Sequence, residues 1–362
     1  MKIKKVASRL LRWETMLVVL LVALWFIFDA KDAATQAARA AAGRKVTDVF
    51  NFTKMLNGMG PYLLYSFMAL GMALLLGMGD IDISVGAIAA LSASVMGKCY
   101  GPLSSVMAPG LALVISVFLC ILTGAVCGFF NGFLVTHFRE LFPMIITLGT
   151  QLFYRGFCYL LLGGDTLQYK DDKAWETLKR LYNGSINIGE LSIPTMLIWF
   201  LLLAALFFVF LHLTVGGRRL FAIGTNRVAA RYSGIRVDSF ELSMFVLCGI
   251  TAALSSMFYV GSVSASVRAD AMTGYEMYAI AVAVLGGFST GGGKGNVIGV
   301  ILSVVIFGVM KKGLGTVFGL PDSTVNLAVG LVLIISAVLP NILEDISNYR
   351  RVMRQHAEAK LS

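Results

Sequence analysis

Long apolar runs alternate with short polar breaks along the whole chain. Ten apolar segments fall at about 14–30, 61–79, 82–98, 104–136, 143–163, 193–215, 240–262, 276–290, 296–310 and 323–340. Several reach the roughly 20 residues that a helix needs to cross a bilayer, among them GLALVISVFLCILTGAVCGFFNGFLV (110–135) and TMLIWFLLLAALFFVFLHLTV (195–215). The pattern predicts an all-α polytopic membrane protein of about ten transmembrane helices, one membrane domain over residues 1–362. The breaks between segments are mostly rich in glycine. GDIDISVG (Gly79–Gly86) and GGKGNVIG (Gly292–Gly299, with Gly295 inside it) have the same length and the same final residue. Each follows one apolar segment and opens another, which predicts an internal repeat with broken helices, as in many transporters.

The polar stretches complete the layout. Residues 31–57, polar and Ala-rich, read as a linker followed by a helix at the membrane interface. Residues 164–192 read as the longest loop after the fifth segment, 216–239 as a second polar loop and 344–362 as a tail. The first segment follows a basic start but lacks a good cleavage site, so it reads as a retained helix rather than a signal peptide.

Composition agrees with this layout. The chain is 57% hydrophobic and 14% charged, against about 25% charged for soluble domains, and its mean hydropathy is +0.80. The net charge of +10 suits loops beside anionic lipid. No basic groove interleaved with aromatics is present, which excludes a nucleic-acid partner. Lys and Arg cluster before the first segment (Lys2, Lys4, Lys5, Arg9, Arg12), in the loop after the sixth (Arg218, Arg219, Arg227, Arg231, Arg236) and after the tenth (Arg350, Arg351, Arg354, Lys360). Ten crossings put all three on one side, the cytoplasm, together with both termini. Lys31, Arg39, Arg44, Lys45 and Lys54 fall on the other side and weaken the bias.

Candidate chemistry is sparse. The three histidines lie far apart, and GGGKGN (291–296) lacks the spacing and the Ser or Thr of a P-loop, so no catalytic residues emerge. Cys120, Cys127, Cys158 and Cys248 lack metal-site spacing and read as small core residues; no metal site is expected. Asp80 and Asp82 are the conspicuous acids. A carboxylate at the bilayer centre costs about 2.5–3.5 kcal/mol on insertion scales. Two readings stay open: Asp82 or Ser84 caps the next helix and holds the break in shape, or the acids touch a solute or ion. Asn131 bonds across helices, with Gly128 and Gly132 allowing close packing. Tyr275 and Glu276 cap a helix start or line the mouth of a pathway. Arg155 faces the interior, with Asp80 or Asp82 as a conceivable partner. Asn226 is a good N-cap for a short helix, VAARYS, with Arg227 and Arg231 on one face and Gly234 as its stop. That helix is a solvated basic loop or a docking element.

Five stretches in order resemble the membrane permeases of bacterial sugar ABC importers, the ribose, xylose, arabinose and galactose branch of the type 2 binding-protein-dependent (BPD) transporters. GDIDISVG is similar to that family's GIDLSVG signature. GFFNGFLVTHF (128–138) and PMIITLGT (143–150, carrying Thr147) resemble two further elements. RRLFAIGTNRVAARYSGI (218–235) resembles the coupling loop, and GYEMYAIAVAVLGGFSTGGGKGNVIG (274–299) the last motif. Together they cover most of 60–340. The resemblance implies import of a monosaccharide or similar small polar solute across the bacterial cytoplasmic membrane, or of a furanose-like signal, a deoxy-sugar or a polyol. It implies a cytosolic ABC ATPase that carries ATP and Mg²⁺, with no cofactor in this chain. It also implies an extracytoplasmic sugar-binding protein and a second permease copy or paralogue. Asn226, Arg227, Ala229, Ala230, Arg231 and Gly234 would form the coupling helix. Asp80, Met277 and Tyr278 depart from the family pattern. A rival expectation, resting on Asp80 and Asp82, is a stand-alone ion-coupled transporter or channel.

Overall fold

The computed structural model describes residues 13–45, 49–169, 173–189, 191–263, 266–321, 323–332, 334–335 and 338. The basic N-terminal cluster and the 344–362 tail lie outside them. The described chain is helical: α1 (Trp13–Ala41), α2 (Phe52–Asn57), α3 (Gly60–Leu63), α4 (Ser66–Met78), α5 (Val85–Val106), α6 (Pro109–His137), α7 (Pro143–Leu162), α8 (Lys173–Asn183), α9 (Thr195–Phe208, continued by a π turn, Val209–Leu213), α10 (Val215–Thr225), α11 (Arg227–Tyr232), α12 (Val237–Ser262), α13 (Tyr275–Leu285), α14 (Val297–Lys312, continued by a π turn, Gly313–Val317) and α15 (Ser323–Val332). Seven of the described helices are long and apolar enough to cross a membrane. α13 and α15 are shorter apolar helices.

Helix α4 forms the centre. Every one of its 13 residues is buried, as expected of a helix that is apolar all round. Around it lie α12, α13 and α14, which are mostly buried as well, while α5, also mostly buried, packs against α6, α7 and α12. α6, α7 and α9 turn large apolar side chains outward, including Phe118, Phe129, Leu152, Phe153 and Leu206, as a lipid-facing surface requires. α6 and α12 touch backbone to backbone: a Cβ on Gly128 would stand 2.4 Å from the Phe245 carbonyl oxygen, and one on Gly124 2.4 Å from that of Gly249. The expected packing role of Gly128 and Gly132 is met here.

The bundle has two distinct ends. At one, the basic end, α10 and α11 meet the end of α4, the start of α12 and the glycine-rich loop before α14, and the start of α1 is tied nearby: the Trp13 indole donates to the Leu285 carbonyl at 2.7 Å and the Asn296 amide to Glu14 at 2.6 Å. At the other, the hairpin end, β2 (Ser185–Ile188) pairs antiparallel with β3 (Leu191–Pro194). There β1 (Leu167–Gln168) pairs with β4 (Ser266–Val267).

Two expectations need correction. Residues 31–41 are not a linker; they continue α1 to Ala41. AATQAARAA is rich in strong helix formers, and buried Asp32 accepts hydrogen bonds from Val49 N and Phe50 N, both at 3.1 Å, tying the following residues to the helix. The 164–192 stretch is more than a loop, since it holds α8 and the hairpin.

Candidate functional site

The break at Gly79–Gly86 is built from the end of α4. Gly79 adopts φ +84°, where a side chain would be strained, and its N–H and that of Asp80 close the last turn on Leu76 O and Leu75 O, both at 2.9 Å. The backbone then reverses through Asp82. Its Oδ1 accepts from Ser84 N at 2.8 Å and from the Ser84 hydroxyl at 2.6 Å. Its Oδ2 accepts from Asn131 Nδ2 at 3.1 Å, which also reaches Ser84 Oγ at 2.7 Å. The Tyr154 hydroxyl donates to Asn131 Oδ1 at 2.9 Å. Thr147 Oγ1 accepts from Ile83 N at 3.2 Å. Asp82, Ser84, Asn131 and Thr147 are fully buried, so α6 and α7 fix the shape of the break. The architectural reading of Asp82 is the one this geometry carries. Ser84 differs from expectation: it stands at the N-cap position but its side chain makes no cap bond, because it is spent on Asp82.

Asp82→Ala would strip the acceptor from a buried amide N–H and weaken the hold on Asn131. At about 1–3 kcal/mol for each buried donor left unsatisfied, thermal unfolding in detergent should begin markedly lower. Asp82→Asn, which keeps one acceptor oxygen, should recover most of the loss; equal damage by both variants would contradict a purely architectural role.

Asp80 does something else. It lies at the basic end, buried, with Arg227 Nη2 2.5 Å from Oδ1. Arg227 also lies 3.5 Å from Glu241. Glu241 is fully buried and 2.7 Å from Arg139. Arg139 pairs with Asp238 as well, and Asp238 with Arg231 at 2.7 Å. Arg227, Arg139 and Arg231 therefore balance Asp80, Glu241 and Asp238 in one ion-pair network that links the break, the α6–α7 turn, α11 and the start of α12. Arg155 is elsewhere: its Nη1 donates to Ala269 O and Ala271 O at 2.9 and 2.7 Å near the hairpin end. A partnership with Asp80 or Asp82 is ruled out. Both oxygens of Asp82 are engaged, whereas Asp80 pairs through Oδ1 and its buried Oδ2 has no hydrogen-bond partner among the described residues.

The two glycine-rich breaks meet. Gly293 N–H donates to Gly77 O at 2.9 Å. A Cβ on Gly292 would stand 2.9 Å from Gly79 N and 2.8 Å from Gly224 O, and one on Gly224 2.1 Å from Gly77 O. Three backbone segments thus touch without side chains between them. The meeting point lies beside the α10–α11 loop, not midway along the helices. Gly295 abuts the Phe288 ring and Gly299 the Gly286 carbonyl. Glu276, buried at the start of α13, accepts from Gly274 N at 3.1 Å and from Gln151 at 3.2 Å, and its Oε2 would lie 2.2 Å from a Cβ on Gly86. The acid is both a cap and the reason that position 86 has no side chain. Tyr275 stands beside it toward the hairpin end.

Helix α11 follows expectation in its caps. Asn226 Oδ1 accepts from Ala229 N at 2.9 Å, and Gly234 takes φ +86°. Its faces differ from expectation. Arg227 turns inward to Asp80, and Ala230 is buried. What the helix offers outward is Val228, Ala229, Arg231 and Tyr232, the tyrosine 89% exposed. It is an apolar face beside one arginine rather than a basic one.

Reading the residues alone missed Glu241, Arg139, Tyr154, Gly77 and Gly224. Glu241 carries a signal, an acid one residue into an apolar segment; Arg139 is a lone cation before Pro143. Neither names its partner.

Residues 54–337 match a family described as the permease component of a branched-chain amino acid transport system. The chain belongs to this permease family. Among curated relatives, the autoinducer 2 import system permease protein LsrD of Enterobacter sp. (strain 638) is 30% identical over 90% of this chain and 91% of its own. Its counterpart in Klebsiella pneumoniae is 29% identical over 90% of each, and that of Escherichia coli K12 is 28% identical over 80% of this chain and 84% of its own. No solved structure matches. The family match encloses both breaks, the ion-pair network and α11. The work of this permease is transport through the membrane.

Proposed function

We propose that this chain is one membrane half of an ATP-driven importer of the bacterial inner membrane, with the basic end and both termini in the cytoplasm. A cytosolic ABC ATPase, which holds ATP and Mg²⁺, seats α11. An extracytoplasmic binding protein delivers the solute at the hairpin end, and a second permease, identical or paralogous, completes the pathway. The solute is autoinducer 2 or another sugar-like molecule of that size. The observation that carries the reading is α11: a short capped helix, apolar and exposed outward, tied inward by Arg227 to the break in the central bundle. Motion of a seated α11 would reach Asp80, and through Gly224 the two glycine breaks. Purification of the protein from its own cells with mass spectrometry tests this. A P-loop ATPase and a secreted binding protein in near-stoichiometric amounts support it, and their absence from repeated preparations of folded permease overturns it.

Arg231→Glu separates coupling from folding. The Arg231–Asp238 pair is more than half exposed on both sides, so its loss should change stability by less than about 1 kcal/mol. Uptake and solute-stimulated ATP hydrolysis by the assembled importer should nevertheless fall severalfold, because the one exposed charge on the outward face of α11 is reversed. Unchanged uptake would remove α11 from coupling.

A further inference from the structure

A groove of about 660 Å³ runs between α9 and α12. Phe67 of the central helix α4 and Phe258 of α12, both buried, form its floor, stacked with ring centroids 4.4 Å apart. Trp199, Leu202, Leu206 and Val209 of α9, each at least 43% exposed, form its outer wall. Tyr182 of α8 closes it toward the hairpin end, and no lining residue is charged. Along α9 the lining runs from Trp199 to Val209, which at the rise of a helix is about 15 Å. That is half of the roughly 30 Å hydrocarbon core of a bilayer. It is the half toward the hairpin end, where α9 begins and α12 finishes. Apolar helices in a bilayer gain nothing from water exclusion when they close on one another, because lipid tails are as apolar as leucine. The groove is therefore not squeezed shut, and its walls lack dispersion partners unless an apolar chain fills it.

From this groove we infer a binding site for a phospholipid of the leaflet at the hairpin end, one acyl chain lying against Phe67 and Phe258 and the phosphate facing Lys179. Lys179 is exposed and stands three residues before Tyr182, so the two are neighbours on the surface of α8. It has no ion pair among the described residues, whereas Arg180 is paired with Glu176 at 3.7 Å. The depth of the groove selects its occupant. A transmembrane helix of a second copy would need contact across the whole core, while an acyl chain reaches the middle from one side. A polar solute is disfavoured because the lining offers it only the Tyr182 hydroxyl and the Trp199 indole. The lipid would bear on α4, the helix that finishes at the Gly79 break, from the end opposite that break.

Native mass spectrometry of the full-length protein tests the site. Prolonged washing in detergent strips the protein of lipid, and dioleoyl phosphatidylglycerol is then added as the probe. Wild type should retain a single probe molecule per chain on release from the micelle. The loaded protein should also unfold at a higher temperature than the stripped one, as with any ligand that binds only the folded state. Ala205→Trp, at an exposed position on the groove wall, fills the groove. It should leave unfolding of the stripped protein unchanged and lower retention severalfold. Leu152→Trp, on the outward face of α7 and outside the groove, is the control and should retain the probe as wild type does. Lys179→Glu, exposed on α8, probes the phosphate contact without touching the packing and should lower retention too. Dioleoylglycerol, which lacks the phosphate, should bind more weakly than the phosphatidylglycerol. Retention equal to wild type in Ala205→Trp or in Lys179→Glu overturns the site, as does equal binding of dioleoylglycerol. If Ala205→Trp turns a dimer into a monomer while the probe stays bound, the groove is an interface between permeases and the lipid assignment falls.

Discussion

Gly224→Ala is expected to unfold the basic end. At an ordinary helical position this change stabilises by up to about 1 kcal/mol, because alanine is the better helix former. Here the new methyl would stand 2.1 Å from Gly77 O and 2.4 Å from Gly293 N. Both are backbone atoms and cannot swing away as a side chain could. Relief requires α10 to part from α4 and from the second break, and that loses the Gly293 N–H to Gly77 O bond. Overpacking of a tight interior costs about 1–3 kcal/mol and sometimes more, and the lost hydrogen bond adds about 1 kcal/mol. The net is a loss of about 3 kcal/mol in place of the expected gain. Thermal unfolding in detergent reads the sign directly, and uptake by the assembled importer should disappear with it. Gly149→Ala on α7, where an added Cβ meets nothing, is the matched control and should leave unfolding unchanged or slightly later. A stable Gly224→Ala variant would mean that the three-way backbone contact is dispensable.

The all-helical membrane class was legible because membrane helices announce themselves by length and apolarity alone; the count of about ten crossings was not, since seven of the described helices meet both criteria. The caps of α11 were legible because capping is local: Asn226 and Gly234 act within a few residues of themselves. Asp82 was half legible, since its bonds to Ser84 lie two residues away while that to Asn131 crosses 49 positions. The ion-pair network was not legible at all. Asp80 and Arg227 are 147 residues apart, and nothing local in either says that the break in the central helix sits at the end of the bundle. A carboxylate flanked by apolar runs reads as an intramembrane charge when depth is unknown. Once the α10–α11 loop is folded against it, the same residue is a fixed counterion. The Ala-rich stretch after the first segment misleads for the opposite reason: its polarity speaks for a linker, but its helix propensity is the stronger local term.

Arg227→Met should be the most damaging change among the charged residues, and a second substitution should partly repair it. Arg227 is 36% exposed, but the carboxylates it serves, Asp80 and Glu241, are 1% and 0% exposed. Removing the cation leaves two acids in the interior with only Arg139, on the far side of Glu241, for compensation. Breaking a fully buried pair costs about 3–5 kcal/mol, chiefly as the penalty for the charge left behind. Partial exposure of Arg227 screens some of this, which puts the expected loss at about 2–3 kcal/mol. Asp80→Asn in the wild-type background should cost less, because Arg227 keeps Glu241 as a partner. If the damage comes from stranded charge, the double variant Asp80→Asn/Arg227→Met should be more stable than Arg227→Met alone, with a coupling of about 1–3 kcal/mol between neighbours in one network. Additive losses would show that Arg227 and Asp80 act independently. Transport should separate from stability in this cycle. The double variant regains folded protein, yet α11 no longer has a tether to the break, so uptake should stay low. Recovery of uptake along with stability would mean that the Arg227–Asp80 contact holds the permease together without conveying motion, and that Gly224 is the remaining route from α11 to the breaks.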